Sequence, residues 1–269
     1  MATTRRLAAP FTAYVLHRYD WSETSLILDL FTRERGRLAV AAKGAKRPYS
    51  QLRSVLLPFQ RIHVGLGRVP KPVLSGVQGA ENADESTSEV QNLRSAEWAG
   101  GAAMLTGAAL FSGFYLNELL MKLVARHDPH PGLFDVYAGT LPLLACGDDA
   151  VVQAGLRAFE IALLKEIGVL PDLSLVTMTL EEVRTDSAYA LLPEAGVTAA
   201  RTTDMSISGS ALIDLEAALE HGSLPALQQA CIQTLSALKT ILRGLLHYHL
   251  GSPVLRTRQV MLDLQSLEL

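Results

Sequence analysis

Ala13-Tyr-Val-Leu-His-Arg-Tyr-Asp-Trp-Ser-Glu-Thr-Ser-Leu-Ile-Leu-Asp-Leu-Phe-Thr-Arg-Glu-Arg-Gly-Arg-Leu-Ala-Val-Ala-Ala-Lys-Gly-Ala-Lys-Arg47 reads as three consecutive antiparallel strands with charge at their turns and ends. Successive side chains of a strand point to opposite faces, so period-two alternation marks each one. Tyr14 and Leu16 oppose Val15 and His17. Leu26, Leu28 and Leu30 share a face, with Ile27, Asp29 and Phe31 behind them. Leu38, Val40 and Ala42 alternate with Arg37, Ala39, Ala41 and Lys43. Arg33-Glu-Arg-Gly36 is a tight hairpin whose glycine can take the positive φ such turns need. Leu56 to Gly65 supplies a fourth strand, its proline near the start where a missing donor is tolerated. The fifth is either Pro72–Glu81 or Leu93–Trp98, and a polar insert near 82–92 leaves both open. Five short strands in about 80 residues predict a small closed barrel such as the OB-fold.

Beyond the barrel the pattern changes. Tyr115, Leu116, Leu119, Leu120, Leu123 and Val124 form a helical stripe, as do Leu156, Phe159, Leu163, Leu164 and Ile167 before Gly168. Residues 171–207 lose that period and read as loop with short strands around Tyr189. Helices return over Ile213–Glu220 and Leu224–Leu250. The expected architecture is α+β: a barrel domain over 1–81, a polar linker or edge segment over 82–98, and a mainly helical domain over 99–269 with an irregular insert at about 171–207.

Charge divides along the same line. Residues 1–80 hold 13 Lys and Arg against 4 Asp and Glu, a net +9, while the remainder nets −12 from 11 bases and 23 acids. Opposite charge on the two halves suggests a division of labour, with the basic half free to meet phosphate. Cys146 and Cys231 cannot build a disulfide framework and read as two buried thiols in a reducing cytoplasm. The uncharged run Trp98–Asn117 is nearly long enough to span a bilayer, but its four glycines and lack of a basic flank fit buried helices better. No membrane association is expected.

Catalytic constellations are missing. There is no phosphate-cradling GxxxxGK[ST] loop and no nucleophile elbow, and Gly65-Leu-Gly67 reads as a hairpin tip. His247 and His249 project from nearly opposite sides of a helix. His127 and His130 have only Asp128 nearby, and the pairs Asp148-Asp149 and Glu181-Glu182 read as solvated surface. No enzyme activity, metal or cofactor is expected.

Binding signals are stronger. Arg33, Arg35 and Arg37 alternate across one hairpin; Lys43, Lys46 and Arg47, followed by Arg53, form a flexible basic loop; Arg18, Arg68 and Lys71 extend the set. Cations spread along a track suit a phosphate backbone. Tyr19, Trp21 and Tyr49 lie in or beside loops, where aromatic rings can stack on bases, whereas Tyr14 and Phe31 read as barrel core. Arg18, Tyr19, Trp21, Arg33, Arg35, Arg37, Lys43, Lys46, Arg47, Arg53, Arg68 and Lys71 are therefore the candidate DNA-binding residues.

At these residues the chain resembles the RecO family of bacterial recombination mediators. The match runs through Val15-Leu-His-Arg-Tyr-Asp-Trp-Ser-Glu-Thr-Ser-Leu, Asp29-Leu-Phe-Thr, Gly36-Arg-Leu and Ala42-Lys-Gly-Ala-Lys-Arg. It resumes at Leu93-Arg-Ser-Ala-Glu97, Phe111-Ser-Gly-Phe-Tyr-Leu-Asn-Glu-Leu-Leu120, Leu156-Arg-Ala-Phe-Glu-Ile-Ala-Leu-Leu164 and Leu255-Arg-Thr-Arg258. The resemblance implies an N-terminal OB-fold, a helical C-terminal domain, and binding of single- and double-stranded DNA. It also implies strand annealing, and work with RecR to load RecA onto strands coated by single-strand-binding protein, in the cytoplasm at the nucleoid. The acidic tail of that coating protein is expected on the helical domain, with Arg157 meeting its carboxylates beside Leu156 and Phe159. Many members of the family carry a four-cysteine zinc site where this chain has Pro171–Leu180 and Leu192–Val197, without cysteine. No zinc is expected, so apolar packing must hold that region. The competing expectation is a protein-docking adaptor whose barrel charge serves only solubility; a nuclease or hydrolase lacks the carboxylate cluster it would need.

Overall fold

The computed structural model describes residues 10–67, 90–100, 104–251 and 255–267. They form two compact units: Met1–Ala102 with Ala125–Pro129, and Ala103–Val124 with His130–Leu269.

In the first unit, strands β1 (Phe11–Asp20), β2 (Leu26–Thr32), β3 (Gly36–Ala42), β4 (Arg61–Leu66) and β5 (Val90–Trp98) close a barrel in the order β1-β2-β3-β5-β4. A single turn of helix, α1 (Leu52–Val55), lies between β3 and β4. Every pairing is antiparallel except β3 with β5. The alternation expected of β2 and β3 holds: Leu26, Leu28 and Leu30 stand opposite Ala42, Val40 and Leu38. These six join Ala13, Val15, Ala45, Leu56, Ile62 and Val64 in the barrel core. Each fully buried Leu or Val contributes about 1.5–3 kcal/mol, so this cluster dominates the stability of the barrel.

Two features depart from the simple pattern. In β1 the register shifts between Val15 and His17, so Leu16 is an extra residue and the alternation reverses beyond it. Arg18 and Asp20 thereby stand opposite Leu28 and Leu26 and share the core face, while His17 and Tyr19 turn outward. The fifth strand is Val90–Trp98, the later of the two candidates, so the end of the expected 82–98 linker or edge segment closes the barrel. Pro72–Glu81, the other candidate, lies outside the described residues.

The segment Ala125–Pro129 packs on the start of β3. Arg37 and Arg126 form a parallel bridge, and the His127 N–H donates to the Arg37 carbonyl at 3.0 Å. At Gly36 (φ +66°) a Cβ would fall inside the backbone carbonyl of Asp128, so no larger residue fits.

The second unit holds α2 (Gly107–Leu123), α3 (Pro131–Leu144), α4 (Asp149–Glu166), α5 (Gly209–His221), α6 (Leu224–Ile232), α7 (Leu235–Leu250) and α8 (Arg256–Leu267). A small sheet of β6 (Ala188–Leu192), β7 (Gly196–Ala199) and β8 (Ile207–Ser208), ordered β7-β6-β8, interrupts them. Central α4 packs against α3, α6 and α7 and buries Leu156, Phe159, Leu163 and Leu164. Asp148 is its N-cap, accepting from the Ala150 and Val151 amides, rather than free surface charge. The expected long helix over 224–250 is two helices, broken at Gln233–Thr234. Leu173, Val183, Tyr189, Ala190, Leu191, Val197 and Ile207 are buried in the insert, whose interior is apolar. No described helix is long and apolar enough to cross a membrane.

Candidate nucleic-acid interface

The cations of the barrel gather at two ends, separated by the length of β2, roughly 20 Å at about 3.3 Å per residue. At the first end the β1–β2 turn meets the segment after β3. The Lys46 N–H donates to the Thr24 carbonyl at 3.0 Å, and Lys46 Nζ donates to the Ser22 carbonyl at 3.0 Å and pairs with Asp20 at 3.1 Å. Further turns follow, from the Arg47 N–H to Gly44, the Ser50 N–H to Arg47, and the Arg53 N–H to Ser50. The basic loop expected to be flexible is thus a run of hydrogen-bonded turns tied to β1–β2. Arg18, Lys43, Arg47 and Arg53 are exposed there and Lys46 is half-buried. Trp21 and Tyr49 are exposed beside them, Tyr49 almost completely at 98%.

The second end carries the β2–β3 turn. Arg33 and Arg35 are exposed, with the Arg35 guanidinium 4.5 Å from the centre of the Phe11 ring. Arg37 does not join them. It is 6% exposed and pairs with Asp29 at 3.3 Å, while Arg126 reaches the other oxygen of that carboxylate at 3.5 Å. Buried between two guanidinium groups, Asp29 makes this a structural triad. Tyr19 packs edge-on against His17, ring centres 4.4 Å apart, and keeps 46% exposure on the outer face. Burial lowers the His17 pKa, with Arg18 adding to the effect and Asp29 opposing it. Arg68 and Lys71 lie outside the described residues.

Trp98 and Arg61 escaped the sequence reading. Trp98 ends β5 at 64% exposure, its Nε1 donating to Gln60 Oε1 at 3.1 Å. Through Ile62 and Ala13 it aligns with Thr32, placing it at the Arg33–Arg35 end beside exposed Arg61. The signal was a tryptophan ending a stretch read as linker, and recognising it requires knowing that the stretch is a strand.

In the helical unit the expected tail-binding residues are internal. Phe159 is fully buried, edge-on to Tyr137 with ring centres 6.2 Å apart. Leu156 is 6% exposed and Arg157 8%, so Arg157 is neither surface residue nor open anion site. Its guanidinium pairs with Glu160 at 2.9 Å, and Tyr115 donates to the same carboxylate at 2.6 Å. Burial raises the Glu160 pKa against the pull of Arg157 and Tyr115, and burial beside Glu160 pushes the Tyr115 hydroxyl well above its usual range. Neighbouring motif residues are spent likewise. Tyr137 donates to Asn117 at 2.6 Å, and Glu118 accepts from the Arg256 and Thr257 amides at 2.9 Å each, capping α8.

Cys146 is exposed, contrary to the expected two buried thiols; Cys231 is buried, and burial pushes its pKa to about 12. Among the described residues no three His, Cys, Asp or Glu side chains gather as a metal site would require. A cleft of about 780 Å³ between α5 and α6 is lined mainly by alanine and small polar groups, with Asp214 and His221 its titratable side chains. It offers nothing to a phosphate backbone. The barrel ends do.

Two family models match the chain: Recombination protein O N terminal over residues 9–84 and Recombination protein O C terminal over residues 104–259. The DNA repair protein RecO of Polaromonas naphthalenivorans is 50% identical over 257 residues, covering 95% of this chain and 96% of that protein. The protein of the same name from Albidiferax ferrireducens is 47% identical over 271 residues, covering 100% of each chain. That from Polaromonas sp. is 48% identical over 269 residues, covering 99% of this chain and 100% of the other.

Proposed function

The chain belongs to the RecO family of DNA repair proteins, and from that premise we propose that its barrel binds single- and double-stranded DNA and anneals complementary strands without catalytic turnover. In this reading it acts in the cytoplasm at the nucleoid, with RecR, to replace single-strand-binding protein by RecA. The helical unit receives the acidic tail of the coating protein, at a surface other than the internal Leu156–Arg157–Phe159 group.

The observation that carries the reading is the placement of barrel charge. Arg18, Lys43, Lys46, Arg47 and Arg53 at one end, and Arg33, Arg35 and Arg61 at the other, outnumber Asp20, Glu23, Glu34, Glu97 and Asp128, the exposed acids among the described residues of the barrel unit. An excess of cations on two rims about 20 Å apart suits several successive phosphates better than one compact anion. Exposed Trp21, Tyr49 and Trp98 provide ring faces beside those rims, and stacking on bases is tolerant of sequence. Annealing follows physically: neutralising phosphates on two strands at once lowers the repulsion that keeps them apart.

The test is annealing of complementary strands coated by single-strand-binding protein, comparing the wild type with a variant carrying Arg33, Arg35, Lys43 and Arg47→Ala. The wild type anneals them and the variant does not. Absence of any shift of labelled single-stranded DNA at low salt, with binding to the tail peptide retained, would replace this reading by that of a docking adaptor.

A further inference from the structure

The β1 bulge does more than shift a register. By reversing the alternation at Leu16 it brings Arg18 and Asp20 to the core face at the barrel's mouth, where they meet Lys46 and Arg53. These four line a cleft of about 400 Å³ whose apolar wall is made by Leu26 and Ala45, both members of the barrel core. That volume is roughly thirteen times a water's share of liquid, about 30 Å³, and so admits a hydrated phosphate group. Leu26 and Ala45 are 7% and 0% exposed, which gives the cleft a firm base.

Its charge is unbalanced. Of the three cations, only Lys46 has an ion-pair partner among the described residues, the Asp20 carboxylate at 3.1 Å. Asp20 is 79% exposed in its side chain, so solvent screens the pair and an incoming anion can displace it. Lys46 is otherwise positioned by backbone, through the Ser22 carbonyl, and keeps its place when Asp20 leaves. Two arginines and a lysine around a small polar cleft match the oxygens of a phosphodiester, with Arg able to donate two parallel hydrogen bonds.

We propose that this cleft seats one phosphate of the nucleic-acid backbone between Arg18, Lys46 and Arg53, and that Asp20 is the competing internal anion which that phosphate displaces. The inference rests on the reading of the barrel as a DNA-binding domain and sets one fixed point in the path of the strand. Trp21, one residue beyond Asp20, then lies beside the nucleotide that the phosphate belongs to. Asp20 also sets selectivity, because an isolated monoanion gains less from displacing it than a strand held at several other points.

The experiment measures anisotropy of a labelled oligothymidylate across a salt series for the wild type, D20N, the double variant R18A/R53A, and the distal double variant R33A/R35A. All the altered side chains are exposed, and circular dichroism verifies that each variant is folded. D20N is expected to bind about threefold tighter, the effect of removing one exposed ion pair. R18A/R53A is expected to bind more weakly and to lose about 0.7 from the log–log salt slope, the share of one phosphate on a single strand. Unchanged affinity and slope in R18A/R53A, with R33A/R35A weakened, would overturn the cleft while leaving the DNA-binding reading intact. Weaker binding by D20N would overturn Asp20 as competitor and make it a positioning residue for Lys46. If the wild type itself fails to bind at low salt, the DNA-binding reading falls, and this inference with it.

Discussion

At the mouth of the barrel, Arg18, Lys43, Lys46, Arg47 and Arg53 lie together with one ion pair among them, Lys46 to Asp20, whereas in the helical unit Arg157 is sealed against Glu160 and Tyr115. The two regions use the same residue types for different ends. A guanidinium enclosed by its own carboxylate holds helices in place. A cation left in water with few acids nearby is free to meet an anion outside the fold, as proposed for the barrel. Arg37 shows that the distinction does not follow domain borders, because in the barrel it too is buried against Asp29. Arg35, two residues earlier, is exposed.

The two regions differ most in what removing an arginine costs the fold. R157A leaves the fully buried Glu160 carboxylate without its cation, and removing one member of a buried pair costs about 3–5 kcal/mol. Urea unfolding should show that loss, and a change below about 0.5 kcal/mol would mean Arg157 behaves as a surface residue. Next in size is the barrel variant with Arg33, Arg35, Lys43 and Arg47→Ala. Its affinity for single-stranded DNA at low salt should fall on the order of 100-fold, equivalent to about 2.7 kcal/mol, while its unfolding midpoint stays near the wild type. A loss of stability in place of affinity would erase the contrast between the regions.

Glu118 sharpens the helical side. Burial alone would raise its carboxyl, but hydrogen bonds from Thr257 and Arg256 and the charge of Lys122 outweigh that and hold the pKa below 4.5. A depressed folded-state pKa contributes stability that is present above the unfolded value and lost as pH falls through the folded one. E118A should therefore cost about 2 kcal/mol at pH 7, and the difference from wild type should shrink as pH drops below about 4.5. A difference independent of pH would assign the effect to packing. The smallest expected effect is W21A. It should weaken single-stranded DNA binding by about 1 kcal/mol through lost stacking and leave stability unchanged, since Trp21 is 57% exposed. Equal weakening for a rigid duplex would remove stacking as the cause.

How much of this was legible in the sequence follows from the range of each interaction. The inward rows Leu26-Leu28-Leu30 and Leu38-Val40-Ala42 were readable because alternation is local. The bulge at Leu16 was not: a single extra residue inverts every face beyond it, and nothing in Val-Leu-His-Arg announces where the ladder slips. The closing strand Val90–Trp98 hid in polar sequence, since no residue of it is fully buried, and it also falls between the two family matches. Helix α3 went unread because Pro131, Gly132, Gly139 and Pro142 punctuate it, though the prolines lie near its two ends. The Arg157–Glu160 pair, three residues apart on one helix, was missed because Arg157 was assigned to an external carboxylate. What sequence could not supply was Tyr115 arriving from α2 to complete the enclosure. Charge counting located the barrel as the basic unit, but only the fold separates Arg37 from Arg35, because pairing depends on which face carries Asp29.

The central claim is that the exposed barrel cations meet a nucleic-acid backbone. Its most direct test is the salt dependence of wild-type binding to single-stranded DNA. Engagement of four or five phosphates predicts a slope of about −3 in log affinity against log salt, flattened in the variant with Arg33, Arg35, Lys43 and Arg47→Ala. A slope near zero, or one identical in the two proteins, would contradict it.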